Sequence, residues 1–175
     1  MDYCSVFKHL HCVELGDYTL MVGNMPLTQA LKQHAFTQGL TDEQVAALAD
    51  LATEVRFREN DVVLVDGEHS TSFYLVLTGS VAVELRTPVC VITVQAVEPG
   101  NVFGWSALLE RQETLFQVRA REDTTALEID GATLKARCLS DTALGVELLH
   151  RILYVVAGRV KATELRFAEM CGIKV

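Results

Sequence analysis

With 175 residues the chain is long enough for one domain with a substantial core plus an appendage, and two full domains would be cramped. Its 15 basic and 23 acidic residues leave a formal charge of −8, which speaks against direct nucleic-acid binding, because phosphate contacts need clustered Lys and Arg. Half of the residues are hydrophobic, yet no run approaches the roughly 20 apolar residues of a membrane helix, so no membrane partner is expected.

The N-terminus, Met1-Asp2-Tyr3-Cys4, lacks the basic start and apolar core of a signal peptide, and a soluble, cytoplasmic protein is expected. Cys4, Cys12, Cys90, Cys138 and Cys171 are odd in number and lack framework spacing, so they read as reduced thiols. Residues 1–26 are expected to be an extension: Tyr3, Val6, Phe7, Leu10 and Val13 sketch an apolar stripe that Gly16, Gly23 and Pro26 interrupt. His9-Leu10-His11-Cys12-Val13-Glu14 shares alternating histidines with the metal motif of cupins. Its gap to the Glu is shorter and the further His is missing, so no metal is expected.

A short helical pattern runs from Leu27 to His34. Thr41 then opens a second helix, forming a capping box with Gln44 in which each side chain meets the other residue's free backbone N–H. Val45, Leu48, Leu51 and Ala52 form its buried stripe, and the helix is predicted to end near Ala52. From Thr53 onward the period becomes strand-like. Val55 and Phe57 alternate with arginines, and Val62 to Val65 and Phe73 to Leu77 are strands closed by Asp66-Gly67 and Thr78-Gly79. Val81 to Leu85, Cys90 to Val97, Gln117 to Arg121 and Thr125 to Ile129 add further strands, with Glu98-Pro99-Gly100 as a turn. Short strands with glycine-centred turns mean a mainly β protein with flanking helices, built as an antiparallel β-roll of jelly-roll type.

The helical period returns after Ile129. Asp130 can cap a helix through Cys138, and Ser140 or Asp141 can cap a long C-terminal helix that ends near Gly172. Leu144, Leu148, Ile152, Val155, Val156, Val160 and Leu165 exceed what one face against a small roll requires. A second copy of the same helix is the economical cover, giving a homodimer, although a downstream domain would serve equally well. The expected division is therefore an extension (1–26), a roll with flanking helices (27–140) and a dimerisation helix (141–175).

Three stretches, Phe73-Tyr74-Leu75-Val76-Leu77-Thr78-Gly79-Ser80-Val81-Ala82-Val83, Pro99-Gly100-Asn101-Val102-Phe103-Gly104 and Val118-Arg119-Ala120, together resemble the cyclic-nucleotide-binding domain of Crp/Fnr-type regulators. The resemblance implies a double-stranded β-helix with a phosphate-binding cassette between late strands, and cyclic AMP or a related cyclic nucleotide as ligand. Such a cassette places a Glu after its Gly to take the ribose hydroxyl, and an Arg followed by a small residue to hold the cyclic phosphate. Here Trp105 falls at the Glu, Thr114 at the Arg and Leu115 at its neighbour. The frame is kept. Gly104 permits the tight turn, and the N–H groups of Ser106, Ala107 and Leu108 can point at an anion, with Ser106 adding a hydroxyl. Thr163 falls where the family contacts the adenine, Trp105 could stack on a purine, and Arg111, between Glu110 and Gln112, reads as solvated.

The resemblance thus implies a regulatory or sensor domain that binds a nucleotide or other small anion, weakly or not at all in the manner of cyclic AMP. Two alternatives stand beside it: an interaction module with an empty roll, and the sensor half of a transcription regulator. In the latter case the helix-turn-helix is missing, since the chain stops at Val175. No nucleophile–base pair, glycine-rich nucleotide loop or paired carboxylates stand out, so no catalytic residues are assigned and an enzyme is not expected.

Overall fold

A computed structural model describes residues 25–109 and 113–173. The candidate extension up to residue 24, including the His9 to Glu14 motif, and Arg111 lie outside the described residues. The chain opens with α1 (Leu27–Gln33), a 3-10 turn (Ala35–Thr37) and α2 (Asp42–Ala49). Eight strands follow: β1 (Ala52–Phe57), β2 (Val62–Leu64), β3 (Ser72–Thr78), β4 (Val81–Arg86), β5 (Val91–Val97), β6 (Val102–Phe103), β7 (Gln117–Ala120) and β8 (Thr124–Asp130). A second 3-10 helix, Trp105–Leu108, stands between β6 and β7, and α3 (Gly131–Ser140) and α4 (Thr142–Met170) close the chain.

The strands form two four-stranded antiparallel sheets, ordered β1-β8-β3-β6 and β2-β7-β4-β5, which is the expected roll. β3 explains why the two layers hold together. Its side chains alternate, so Phe73 and Leu75 pack with the helices while Tyr74 and Val76 pack inside the roll. A strand buried on both faces reads as a continuous apolar run, which is the pattern of Phe73 to Leu77. Each such Leu or Phe removed from water contributes about 1.5–3 kcal/mol before the entropic cost of ordering.

The helix termini follow their caps. Thr41 Oγ1 accepts from Gln44 N–H (3.3 Å) and Gln44 Oε1 accepts from Thr41 N–H (3.0 Å), completing the capping box. Asp130 Oδ1 accepts from Thr133 N–H (2.8 Å), and Asp141 Oδ1 accepts from Leu144 N–H (3.1 Å). α2, however, stops at Ala49, short of the predicted end, because Ala52 is already paired with Ile129 in the first sheet. Sheet pairing outweighs the helical continuation. β6 also escaped prediction, being only two residues long.

α4 runs for about 43 Å at 1.5 Å per residue. Leu144, Leu148 and Ile152 bury its first half against the core, together with Phe73, Leu127 and Leu134. Val146, Leu149, Leu153, Val156, Val160, Thr163, Phe167 and Met170 follow one another at alternating steps of three and four. Most of this stripe is open: Leu153 is 63% and Phe167 67% exposed. Among the described residues no helix is long and apolar enough to cross a membrane, and no cluster of three or more His, Cys, Asp and Glu could hold a metal ion.

Candidate functional site

The cassette begins where β6 lies against β3, with Tyr74 opposite Phe103 and Leu75 opposite Val102. Gly104 follows with φ +77°, and a Cβ there would lie 2.3 Å from the carbonyl oxygen of Ser72. Only glycine allows both the left-handed backbone and this approach. Below it, the Tyr74 and Phe103 rings stack at 4.6 Å, and Phe57 meets Tyr74 edge-on at 5.9 Å. Tyr74 Oη donates to Glu128 Oε1 (2.9 Å). Burial first, and that bond second, push the phenol up to about 12, so it stays a neutral donor.

Beyond Gly104 the chain turns through the 3-10 helix Trp105–Leu108. It surrounds, with the segment 113–116, a cavity of about 280 Å³ that reaches Val83 and Val118 in the roll and Arg159 on α4. Five of the expected site residues line it: Gly104, Trp105, Ser106, Thr114 and Leu115. Thr163 lines an adjoining cleft of about 490 Å³, which shares Trp105, Phe116 and Arg159 with the cavity. Volumes of this order suit a small-molecule site.

Ala107 and Leu108 are placed elsewhere. The N–H of Ala107 donates to the Gly104 carbonyl (3.0 Å), and its methyl packs so closely on α3 that a Cβ at Gly131 would lie 2.6 Å from it. Leu108 lines a separate groove with Leu134, Cys138 and Leu149, whose walls are apolar apart from Lys135 and Thr142. A single helical turn shows its residues to all sides, so consecutive side chains cannot all face one cavity. Thr114 Oγ1 donates to the Phe116 carbonyl (3.0 Å) and accepts from Phe116 N–H (3.2 Å), which ties it to its own loop. Leu115 sits at the rim, 76% exposed. Thr163 donates its hydroxyl hydrogen to the Arg159 carbonyl (2.9 Å), leaving the oxygen able to accept.

Two arginines divide the electrostatics. Arg119, from the Val118-Arg119-Ala120 motif, donates to Glu84 (3.2 Å) and to the Asn60 carbonyl (2.9 Å), bracing β4, β7 and the turn before β2. Arg159 is the charge that sequence reasoning passed over. Half-buried on α4, it lines both the cavity and the cleft. Its position one turn before Thr163 was the available signal, since residues four apart share a helix face.

Residues 54–141 match the family model described as the cyclic nucleotide-binding domain. The chain belongs to the cyclic nucleotide-binding domain family. No curated protein matches it in sequence. Among solved structures it is similar to a protein from Geobacter metallireducens GS-15 named for cyclic nucleotide binding, with 27% identity over 78% of this chain and 99% of the other and a TM-score of 0.68. A cyclic nucleotide-binding domain from Methylobacillus flagellatus KT is similar in fold, with 18% identity over 83% and 82% of the two chains and a TM-score of 0.70. So is the regulatory subunit of a cAMP-independent protein kinase A from Trypanosoma brucei, solved as a triple variant bound to cAMP in its A site. That variant replaces a glutamate by alanine, a threonine by arginine and the next residue, a valine, by alanine. It is 20% identical over 81% of this chain and 49% of the other, with a TM-score of 0.62.

Proposed function

We propose that the chain is the ligand-sensing domain of a homodimeric regulator, in which the roll of residues 27–140 takes the ligand against the last helix and 141–175 join two copies. The ligand is a nucleotide or another small anion, seated in the cavity beside Gly104, Trp105 and Ser106, with Thr163 at the far end. Cyclic AMP is held weakly or not at all in the family's manner. The observation that carries this reading is an open cavity around a kept glycine turn, at which Trp105 and Thr114 stand in place of the charged readers and Leu115 in place of the small residue beside the arginine. A charge-assisted hydrogen bond contributes about 1.5–3 kcal/mol. The absence of two of them weakens cyclic AMP binding by about two to four decades.

Calorimetry with cyclic AMP and cyclic GMP tests it. The Trypanosoma variant indicates which change to make: Thr114→Arg with Leu115→Ala is the same kind of exchange. The double variant is expected to bind cyclic AMP roughly ten- to a hundredfold more tightly than the wild type, as one charge-assisted bond requires. Micromolar binding by the wild type would overturn the weak-binding part. Silence from both proteins would overturn the sensor reading.

The exposed stripe of α4 favours a second reading, an interaction module with an empty roll. Its alternating steps of three and four are the spacing of a two-stranded coiled coil, so a second copy of α4 fits it in either reading. Sedimentation of the full chain at tens of micromolar, a range in which specific interfaces are normally filled, is expected to show a dimer that Leu153→Glu dissociates. A monomeric wild type would count against the shared seam.

A further inference from the structure

The groove lined by Leu108 has a volume of about 330 Å³ and opens between the cassette's 3-10 helix, α3 and α4. Leu134, Leu148 and Ile152 at its base belong also to the buried core, whereas Leu139, Val146 and Leu149 along it are exposed. Apolar side chains gathered in a concavity mark a place where another apolar surface is taken out of water. A second α4 laid on the exposed stripe does not account for this groove, because Leu108, Cys138 and Leu139 come from outside α4. Its charged lining residue is Lys135. The occupant that fits is therefore apolar on the face it presents and carries a carboxylate at the edge of that face.

We infer that residues 3–15 of this same chain dock in the groove as an amphipathic helix, with the apolar stripe inward and Glu14 beside Lys135. Tyr3, Val6, Phe7, Leu10 and Val13 stand three or four residues from their neighbours on one helix face. A helix of about 13 residues is marginal in water by itself, so the stripe needs a surface against which to be buried. The charges agree with the groove. Glu14 comes four residues after Leu10 and borders the stripe, whereas Lys8 falls on the opposite side of such a helix. The connection is long enough. Met25 packs against the same core as Leu134 and Leu148, and residues 16–24, which include Gly16 and Gly23, can span about 30 Å, roughly twice the radius of gyration of a 175-residue domain.

Docked there, the segment touches Leu108, α3 and α4 at once and clamps together three elements that are separate in the chain. It also covers Cys138, the thiol that lines the groove. Neither effect depends on a ligand in the roll.

The test is iodoacetamide labelling of the full chain, read at each cysteine by mass spectrometry, because Cys138 lines the groove while Cys90 and Cys171 are exposed elsewhere. The double variant Phe7→Glu, Leu10→Glu should speed labelling of Cys138 at least roughly tenfold and leave Cys90 and Cys171 as they were. Leu139→Glu, in the groove but outside the α4 stripe, should do the same. If Leu139→Glu does not fold, the double variant carries the test, since residues 7 and 10 lie outside the roll. Carbodiimide cross-linking of the wild type should join Lys135 to Glu14 within one chain, and the double variant should lose that link. Unchanged labelling of Cys138 in the double variant, or a Lys135–Glu14 link formed between two chains, overturns the inference. Protection of Cys138 that disappears on dilution or in Leu153→Glu also overturns it, because the cover is then a second copy. No readout involves a ligand, so the cavity reading stands or falls separately.

Discussion

Gly104 and Gly67 allow the turn at the heart of the cassette to be tested with an internal control. Both have a left-handed backbone, φ +77° and +81°, so replacement by alanine imposes the same conformational penalty, about 1–2 kcal/mol. Both changes also restrict the unfolded chain equally, which returns about 0.4–1 kcal/mol in each case. The surroundings differ. A Cβ at Gly67 meets nothing within 4 Å among the described residues, whereas at Gly104 it lies 2.3 Å from the Ser72 carbonyl oxygen and 3.2 Å from Tyr74 Cδ2. Backbone cannot swing aside as a flexible side chain can, and overpacking of this kind costs about 1–3 kcal/mol. Urea denaturation should therefore show a loss of about 1 kcal/mol for Gly67→Ala and of about 2–4 kcal/mol for Gly104→Ala. At roughly 2–4 °C per kcal/mol in a chain of this size, the second variant should melt about 5–15 °C below the wild type. Equal losses in the two variants would refute the close approach of the cassette to β3.

Two further predictions concern titratable groups. His34 is buried, accepting from Phe36 N–H at Nδ1 (3.2 Å) and pairing Nε2 with the Val76 carbonyl (3.0 Å). Burial lowers its pKa below the ordinary 6.5, against the opposing effect of the Val76 carbonyl, and a proton on Nδ1 would face the Phe36 N–H. The unfolded chain thus takes up the proton first: this contribution to stability is full above about pH 6.5 and is lost as the pH falls through the folded value. Denaturation midpoints should fall more between pH 7.5 and 5.5 in the wild type than in His34→Gln, and parallel curves would contradict the assignment. Cys138 is partly buried, and desolvation first, then the Asp141 charge, raise its thiol pKa, while Cys90 and Cys171 are exposed. Iodoacetamide mapped by mass spectrometry should label Cys138 more slowly than Cys90 and Cys171; labelling as fast as at Cys90 would show that the α3–α4 packing opens readily.

Much of the fold was legible because its signals are local. Thr41 with Gln44, Asp130 and Asp141 announce helix starts through the geometry of their own turns. The alternation of Val81, Val83 and Leu85 announces a strand that need only choose between two faces. The end of α2 was misplaced because Ala52 is claimed by Ile129, a residue 77 positions away in the chain, and no local pattern carries that pairing. β6 was missed for a related reason: two residues have no period, and they form a strand only because β3 lies beside them.

The site divides in the same way. From the residues alone came the glycine turn and an apolar excess on the last helix, since each depends on residue type at a given spacing, while the loss of the charged readers at Trp105 and Thr114 came from the resemblance to the family's cassette. Tertiary structure alone decided that Ala107 and Leu108 turn away from the cavity and that Thr114 is bound to its own loop. It also decided that Arg159 reaches the space between roll and helix, where among the described residues its hydrogen-bond partner is the Gln95 amide. The reason is physical: whether a charge is paired depends on what the fold places within a few ångströms of it, and Gln95 lies 64 residues from Arg159 along the chain but 2.7 Å away in space.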